Sequence, residues 1–300
     1  MKPLLFITAG DPMGIGPEIT VKALRQKEVQ RACRAVVIGE PTSLYKAGFT
    51  NDLATLIALD TYALLPNRPQ PSKAGGLVSF QAVKTACKLA LKTKAPLVTA
   101  PISKQSWTLA NVPFTGHTEL LRALTHGEGL MMFVSANLRC ALVTEHFPLA
   151  HLPLTWQKVE QAALHFQKAL KKLGVCAPRI GVCAVNPHAS DNGKFGTEEK
   201  KILLPALKKL TPHGFFMGPI PTDSAWLAHQ AGRLSGLLCM YHDQALLGIK
   251  LAAQEPIVHL TAGLPFLRTS PAHGTAFDIA GKNKADASSM AAAILFAAKH

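Results

Sequence analysis

The sequence has few aromatic residues, no paired cysteine motif and no long apolar run, and each absence excludes a class of protein. Aromatic residues make up only 6% of the chain, which leaves little surface for stacking nucleic-acid bases. The six cysteines form no CxxC pair, so a structural zinc site made from them is not expected. No apolar run approaches the roughly 20 residues that a membrane-spanning helix needs. We therefore expect a protein that binds neither nucleic acid nor membrane.

Acidic residues are also scarce, with 18 against 32 lysines and arginines, and the formal net charge is +14. The lysines are scattered over predicted helix faces, which favours solubility and the attraction of an anionic substrate into a basic cleft. The apolar fraction of 48% is ample for a buried core. The cysteines fall in apolar segments typical of reduced core residues, which predicts a cytoplasmic protein.

Strand-like and helix-like segments alternate along the chain, and this alternation predicts an α/β fold with mostly parallel sheets. The predicted strands are LLFITA, RAVVIG, PLVTA and RIGVCAV. Pro17 and Glu18 mark the first turn of one predicted helix, and Thr155 is the predicted cap of another. The stretch from Leu65 to Gly76, rich in proline, glycine and serine, is predicted to be a loop.

Three histidines follow three separate apolar runs, CALVTEH, RIGVCAVNPH and GLLCMYHDQ. They are His146, His188 and His242. Any one of them could cap its own strand by bonding to backbone, but the repetition favours a shared role. Because the carboxyl ends of parallel strands lie at one edge of a sheet, the three imidazoles are predicted to meet there as ligands of a divalent metal.

Two glycine-containing segments are compatible with anion binding. AGDPMGIGPEI places Gly10, Gly14 and Gly16 between a strand and a helix, as in a phosphate-binding turn, although the spacing is not GxGxxG. The same prolines and glycines would also suit a rigid turn near a site. FTGHTELL places His117 and Thr118 at a helix start, where they either hold a phosphate or carboxylate or cap the helix.

The segment GLPFLRTSPAHGTAFDIAGK, residues 263–282, carries the most specific pattern. Arg268 is a fork-shaped donor suited to an anionic substrate, the alternative being that it pairs with a neighbouring acid and holds its own turn. HGTAFDIAG places small residues and an acid where a ribose and an adenine could lie against backbone. The predicted cofactor-binding residues are His273, Gly274, Thr275 and Asp278.

The motifs GDPMGIGPEI, TAPISK, FTGHTELL, NPHAS, MYHDQ and GLPFLRTSPAHGTAFDIAGK occur in order along the whole chain. Together they resemble the 4-hydroxythreonine-4-phosphate dehydrogenase family of pyridoxal phosphate biosynthesis. HGTAFDIAGK is also similar to the adenosine-contacting segment of isocitrate and isopropylmalate dehydrogenases. The resemblance implies the two-domain isocitrate/isopropylmalate dehydrogenase-like fold, α/β with mostly parallel sheets flanked by helices.

The resemblance also implies roles for individual residues. The metal ligands of the family fall on His146, His188 and His242, and the bound ion is expected to be Zn, Mg or Co. Its substrate contacts fall on His117, Thr118, Lys250, His259 and Arg268. Two further carboxylates, Asp223 and Asp243, are candidates for the proton acceptor, and either could instead orient an imidazole.

The implied reaction is NAD-dependent oxidation of 4-phosphooxy-L-threonine at its C3 hydroxyl, with decarboxylation to 3-amino-2-oxopropyl phosphate. NADP is the alternative cofactor.

Three positions depart from the family pattern: His259 and Ser103, where asparagine is common, and Asp191 in NPHASD, where the family usually reads NPHAGE. The substrate could therefore instead be threonate or erythronate 4-phosphate. A metal-dependent phosphate-handling hydrolase or transferase and a non-catalytic anion-binding module are the rivals from other classes.

The implied domain organisation is discontinuous. Residues 1–113 and 255–300 are predicted to form the cofactor-binding domain, and residues 114–254 a domain for metal, substrate and dimerisation. The family forms homodimers whose active sites include a residue of the partner, and the same is expected for this chain.

Overall fold

The computed structural model describes residues 2–60 and 65–300, which form two compact units. The first comprises the residues up to Gly129 together with Val258–His300, and the second is Leu130–Ile257. The units therefore divide later along the chain than the predicted boundaries at 113/114 and 254/255. The reason is the helix His117–Thr125, whose Leu120 and Leu121 are buried in the hydrophobic core of the first unit.

Strands and helices alternate throughout the described residues, as the sequence pattern predicts. The strands are β1 (Leu4–Thr8), β2 (Arg34–Gly39), β3 (Thr55–Ala58), β4 (Leu97–Thr99), β5 (Leu130–Ser135), β6 (Leu138–Leu142), β7 (Arg179–Cys183), β8 (Phe215–Ile220), β9 (Gly236–Cys239), β10 (Val258–Ala262) and β11 (Arg268–Pro271). The α-helices are α1 (Gly16–Leu24), α2 (Lys27–Ala32), α3 (Pro41–Lys46), α4 (Lys73–Thr93), α5 (Lys104–Leu109), α6 (His117–Thr125), α7 (Trp156–Lys172), α8 (Leu204–Leu210), α9 (Thr222–Gln230), α10 (His242–Ala252) and α11 (Ser288–Lys299).

In the first unit the strands are ordered β3-β2-β1-β4-β11-β10. All neighbours are parallel except β10, which runs antiparallel to β11. Strand β1 is apolar and almost wholly buried, as expected for a parallel strand covered on both faces. The predicted loop ends earlier than Gly76, because the hydroxyl of Ser72 accepts a hydrogen bond from Gly75 N at 3.0 Å and caps α4.

In the second unit the order is β5-β6-β9-β7-β8, and only β5 is antiparallel to its neighbour. Helix α7 begins as predicted, since the Thr155 hydroxyl accepts a hydrogen bond from Lys158 N at 3.3 Å. The mostly parallel α/β architecture with flanking helices is thus confirmed. None of the helices in residues 2–60 and 65–300 is both long and apolar enough to cross a bilayer. The six cysteines are free, and all but Cys176 are buried.

Candidate active site

Arg268 lies at the start of β11 and is 2% exposed. Its guanidinium donates from Nε and Nη2 to the hydroxyl of Thr99, at 3.2 and 2.6 Å, and from Nη1 to the hydroxyl of Thr261 at 3.0 Å. Among the described residues no carboxylate lies within ion-pair distance of it. Burial lowers the pKa of Arg268 to about 9. The alternative in which Arg268 pairs with a neighbouring acid is therefore wrong. The buried positive charge of its guanidinium has only neutral partners.

Two imidazoles belong to the same cluster. His259 Nδ1 lies 3.3 Å from Arg268 Nη1 and 3.1 Å from Ser270 Oγ. Because a guanidinium can only donate, His259 Nδ1 accepts, and its proton is therefore assigned to Nε2. Burial, and then the electrostatic interactions with Arg268 and His259, hold the pKa of His117 well below its ordinary value. His117 Nε2 is buried and has no hydrogen-bond partner in the described part of the chain.

Polar side chains continue across neighbouring strands. Thr8 and Thr99 are in register on β1 and β4, so their side chains share one face of the sheet. Thr8 Oγ1 is a second buried polar atom without a partner among residues 2–60 and 65–300. Because buried polar groups are normally satisfied, orphaned atoms beside an uncompensated guanidinium indicate a binding site for an anion. We refer to His117, Thr99, Thr261, His259 and Arg268 as the basic cluster.

The other two predicted substrate residues are placed differently. Thr118 is buried in the first turn of α6, beside His117, where the helix terminus favours negative charge. Lys250 belongs to the second unit, in the last turn of α10, and is exposed. Its ammonium group makes no hydrogen bond or ion pair with any described residue.

The glycine-rich turn packs directly against the predicted cofactor segment. A Cβ on Gly14 would come within 2.9 Å of Thr275, and Ile15 N donates to Thr275 O at 2.9 Å. Gly10 has φ +77°, and a Cβ there would be 2.3 Å from Pro101 O. The glycines therefore permit close backbone packing, and the turn packs against the segment 273–282 within the first unit.

A cavity of about 890 Å³ lies beside this turn in the first unit. Its lining includes Met13 and Gly14 of the turn, Glu40 after β2, and Gly281 and Asn283 beyond the predicted cofactor residues. The four predicted cofactor residues precede this part of the lining in the chain and are not themselves among the residues that line the cavity. His273 and Asp278 are exposed, and His273 Nδ1 lies 3.1 Å from Gly274 O.

In the second unit, the strands that precede the three candidate metal ligands lie side by side as β6-β9-β7 and run parallel. His242 opens α10 directly after β9. Its ring centroid is 5.3 Å from that of His146, which follows β6. His242 Nδ1 lies 2.7 Å from Asp243 Oδ1. Two imidazoles thus meet at the predicted edge of the sheet, with a carboxylate oriented against one of them.

His188 is not brought to this pair. It lies in the turn Pro187–Gly193, where residues 188–192 all have positive φ, a conformation unfavourable for side-chain-bearing residues. Its ring lies 6.4 Å from that of Phe195. Within residues 2–60 and 65–300, no group of three or more His, Cys, Asp or Glu residues is arranged to hold a metal ion. The three-histidine ligand set stays a prediction.

The two candidate proton acceptors differ in their contacts. Asp243 is exposed, and its Oδ1 is engaged by His242. Asp223 lies in the first turn of α9 and is exposed, and its Oδ1 accepts a hydrogen bond from Ser224 N at 2.7 Å. Asp223 makes no hydrogen bond to any of the three histidines in the described structure.

Glu199 and Gln244 are buried polar residues that bind backbone at the strand ends, a role that the sequence did not predict for either of them. Glu199 Oε1 accepts hydrogen bonds from Val185 N at 2.9 Å and Asn186 N at 2.8 Å, and Oε2 accepts one from the Asn186 amide at 2.9 Å. Burial raises the pKa of Glu199, but these hydrogen bonds outweigh it, so the net pKa lies below the ordinary value. Glu199 therefore fixes the chain that leads into the His188 turn.

Replacing Glu199 with Gln should lower the free energy of unfolding at neutral pH by about 1.5–3 kcal/mol, since charge-assisted hydrogen bonds are lost. Because the folded-state pKa lies below the unfolded one, this stabilisation is present above the unfolded-state pKa. It is lost as the pH falls through the folded-state pKa. The difference between urea titrations of wild type and variant should therefore begin to shrink only once the pH falls below the ordinary glutamate pKa of about 4.3. A difference that does not shrink at any pH below that value at which the protein still folds would contradict a role for the carboxylate charge.

The fold, together with similarity to known proteins, defines the class of protein, an α/β dehydrogenase. A solved terephthalate 1,2-cis-dihydrodioldehydrogenase from Burkholderia xenovorans LB400 is similar to this chain with a TM-score of 0.70 and 25% identity, covering 99% of this chain and 97% of that one. The chain belongs to the family of pyridoxal phosphate biosynthetic protein PdxA, whose model matches residues 17–297.

Individual relatives agree with this assignment. A 4-hydroxythreonine-4-phosphate dehydrogenase from Synechococcus sp. (strain JA-3-3Ab) is 40% identical, covering 99% of this chain and 94% of the relative. A protein provisionally named D-threonate 4-phosphate dehydrogenase, from Halalkalibacterium halodurans, is 38% identical, covering 100% of this chain and 97% of the relative. The crystal structure of the 4-hydroxythreonine-4-phosphate dehydrogenase from Klebsiella pneumoniae is similar with a TM-score of 0.87 and 32% identity, covering 100% and 99% of the two chains.

Proposed function

We propose that this chain oxidises 4-phosphooxy-L-threonine at its C3 hydroxyl with NAD and a divalent metal, and that decarboxylation then gives 3-amino-2-oxopropyl phosphate for pyridoxal phosphate biosynthesis. The observation that carries the proposal is the buried guanidinium of Arg268, which has hydroxyl and imidazole partners and no described acid. Such a group needs an anionic ligand to compensate its charge. The names of the relatives supply the identity of that ligand.

Within this proposal the phosphate group of the substrate lies at the basic cluster. Arg268 donates to phosphate oxygens while Thr99 and Thr261 hold its guanidinium in place. His259 donates from Nε2, and the first turn of α6 adds Thr118 and the positive end of the helix. Lys250, which is exposed in the second unit, supplies a further positive charge to the substrate.

The nicotinamide cofactor is assigned to the first unit, at His273, Gly274, Thr275 and Asp278. A cavity of about 890 Å³ lies nearby, beside the glycine-rich turn, and its size suits an adenosine group; residues just beyond the four, Ala280 and Gly281, line it. Bound NAD would accept the hydride that leaves C3. Asp278 would accept hydrogen bonds from the ribose hydroxyls and repel an added 2′-phosphate, which favours NAD over NADP.

Imidazole side chains are suitable ligands for a divalent metal. Three imidazoles follow adjacent parallel strands, and Asp243 holds the ring of His242, as carboxylates commonly do for histidine ligands. We assign His146, His188 and His242 as the ligands of Zn, Mg or Co. A cation there would supply the positive charge that makes the substrate hydroxyl easier to deprotonate. Since Asp243 is engaged by His242, Asp223 is the proposed acceptor of the hydroxyl proton.

A homodimer is supported by exposed apolar side chains on the second unit. Leu247 and Leu251, four residues apart on α10, are 64% and 80% exposed, and Leu227 on α9 is 63% exposed. Isologous contact of such a face would bury it in a dimer. We propose a cytoplasmic homodimer in which each active site includes a residue of the partner.

NADH absorbance over a substrate panel tests the proposed reaction. With Zn²⁺, Mg²⁺ or Co²⁺ present, 4-phosphooxy-L-threonine should give the highest kcat/KM, with NAD preferred over NADP. Faster oxidation of D-threonate 4-phosphate, which the name of the 38% identical relative favours, or of erythronate 4-phosphate would assign the chain to that substrate instead. Release of inorganic phosphate without NADH would instead indicate a hydrolase, and binding of phosphate without any turnover would indicate an anion-binding module.

A further inference from the structure

The side chain of Gln244 connects several segments of the second unit that carry candidate site residues. Gln244 is buried in the first turn of α10, two residues after His242. Its Oε1 accepts a hydrogen bond from Met240 N at 2.8 Å. Its Nε2 donates to Ala184 O at 2.5 Å and to Thr222 Oγ1 at 3.0 Å. Both amide hydrogens and the amide oxygen are therefore used.

Each of these partners lies in the chain shortly before a candidate site residue. Ala184 directly follows β7, on the chain that leads to His188. Met240 directly follows β9, on the chain that leads to His242. Thr222 opens α9 and precedes Asp223. One side chain thus spans the carboxyl ends of the adjacent strands β7 and β9 and the start of α9.

The same network reaches the third strand. The hydroxyl of Thr144 donates to Met240 O at 2.6 Å, and Thr144 N donates to that oxygen at 3.2 Å. Thr144 precedes His146 by two residues, so the N–H of Met240 binds Gln244 while its carbonyl binds the chain after β6. In addition, Trp226 Nε1 donates to Gln244 O at 2.9 Å, which fixes α9 to α10.

The amide orientation follows from its partners. Met240 N–H requires an oxygen, and the carbonyl of Ala184 requires a donor, so a flipped amide would lose both bonds. No residue other than glutamine would make all three bonds from this position. A carboxylate would lack the donors, and an aliphatic side chain would leave a buried N–H and a buried carbonyl unsatisfied.

We propose that Gln244 is a positioning residue for the candidate metal site, setting the relative positions of the segments that carry His146, His188, His242 and Asp223. It acts through the backbone and contacts neither substrate nor metal. This role rests on the proposed function, because the alignment of these segments matters beyond folding only if the segments hold a metal.

The test compares Gln244→Met with a matched control, Gln167→Met. Gln167 is also a buried glutamine of the second unit, and its Nε2 donates to His213 O at 2.9 Å, away from the strand ends. Both substitutions keep side-chain length and remove amide hydrogen bonds, so both should lower the unfolding temperature. Only Gln244→Met should weaken Co²⁺ binding, by about 10- to 100-fold, and lower kcat, with the KM for NAD unchanged.

Co²⁺ affinity is measured from the visible absorption of the bound ion. If Gln244→Met does not fold, Thr222→Val serves as a milder variant. It removes one of the three bonds and should weaken Co²⁺ binding less, in the same direction. Wild-type affinity in the Gln244 variant, or equal weakening in Gln167→Met, would overturn the positioning role alone. A wild-type chain that binds no Co²⁺, Zn²⁺ or Mg²⁺ would overturn the proposed metal site and this role together.

Discussion

Replacing Arg268 with Met should lower kcat/KM for the phosphorylated substrate by about ten- to a hundredfold, because a charge-assisted hydrogen bond to the phosphate, worth about 1.5–3 kcal/mol, is lost. The unfolding temperature of the free protein should not fall, and the removal of a buried charge without a counter-charge should raise it. Steady-state kinetics with phosphorylated and non-phosphorylated substrates measure the first effect, and calorimetry measures the second.

Arg139→Met is the matched control for this prediction. Arg139 is another arginine whose pKa is lowered by burial, but it is only half-buried and lies on β6, outside the basic cluster. The control should retain the preference for the phosphorylated substrate. If Arg268→Met kept that preference and lost several degrees of stability, Arg268 would be a structural residue and the basic cluster would not bind phosphate.

Replacing His242 with Ala should reduce turnover by about a thousandfold, because a metal-held charge stabilises the transition state by several kcal/mol. The fold should stay intact, since the imidazole is 39% exposed and contributes little to the core. Elemental analysis and NADH absorbance on the same sample measure metal content and turnover together.

His213→Ala is the control, because His213 is an exposed histidine of the same unit in a short 3-10 turn. It should retain metal and activity. A His242→Ala variant with full metal content and full turnover would exclude this histidine from the ligand set. A variant without metal but with full turnover would show that the oxidation needs no metal.

The sequence was most informative where local chemistry decides the structure. Pro17 in the first turn predicts α1, and the threonine cap predicts α7. The apolar strands that end at histidines place His146 and His242 together, because parallel strands share one edge. The position of His188 could not be predicted in this way. Its turn has left-handed backbone at five successive residues, none of them glycine, and no residue pattern signals that conformation.

The isolation of Arg268 is likewise invisible in the sequence. Whether a guanidinium meets an acid depends on which strands become neighbours, and β4 comes from a part of the chain far from β10 and β11. Glu199 and Gln244 were missed for a related reason. A polar residue near a helix start is usually solvated or a cap, and only the folded structure shows that these two bind backbone at the ends of strands.

The uncompensated guanidinium also has a practical consequence for handling the protein. A buried cation that lacks a counter-ion is a receptor for any small oxyanion, and occupancy follows mass action. Phosphate or sulfate in a purification buffer would therefore compete with substrate, inflate apparent KM values and raise the melting temperature. Kinetic constants determined in Tris chloride are the ones that describe the enzyme, and added phosphate should act as a competitive inhibitor in the same assay.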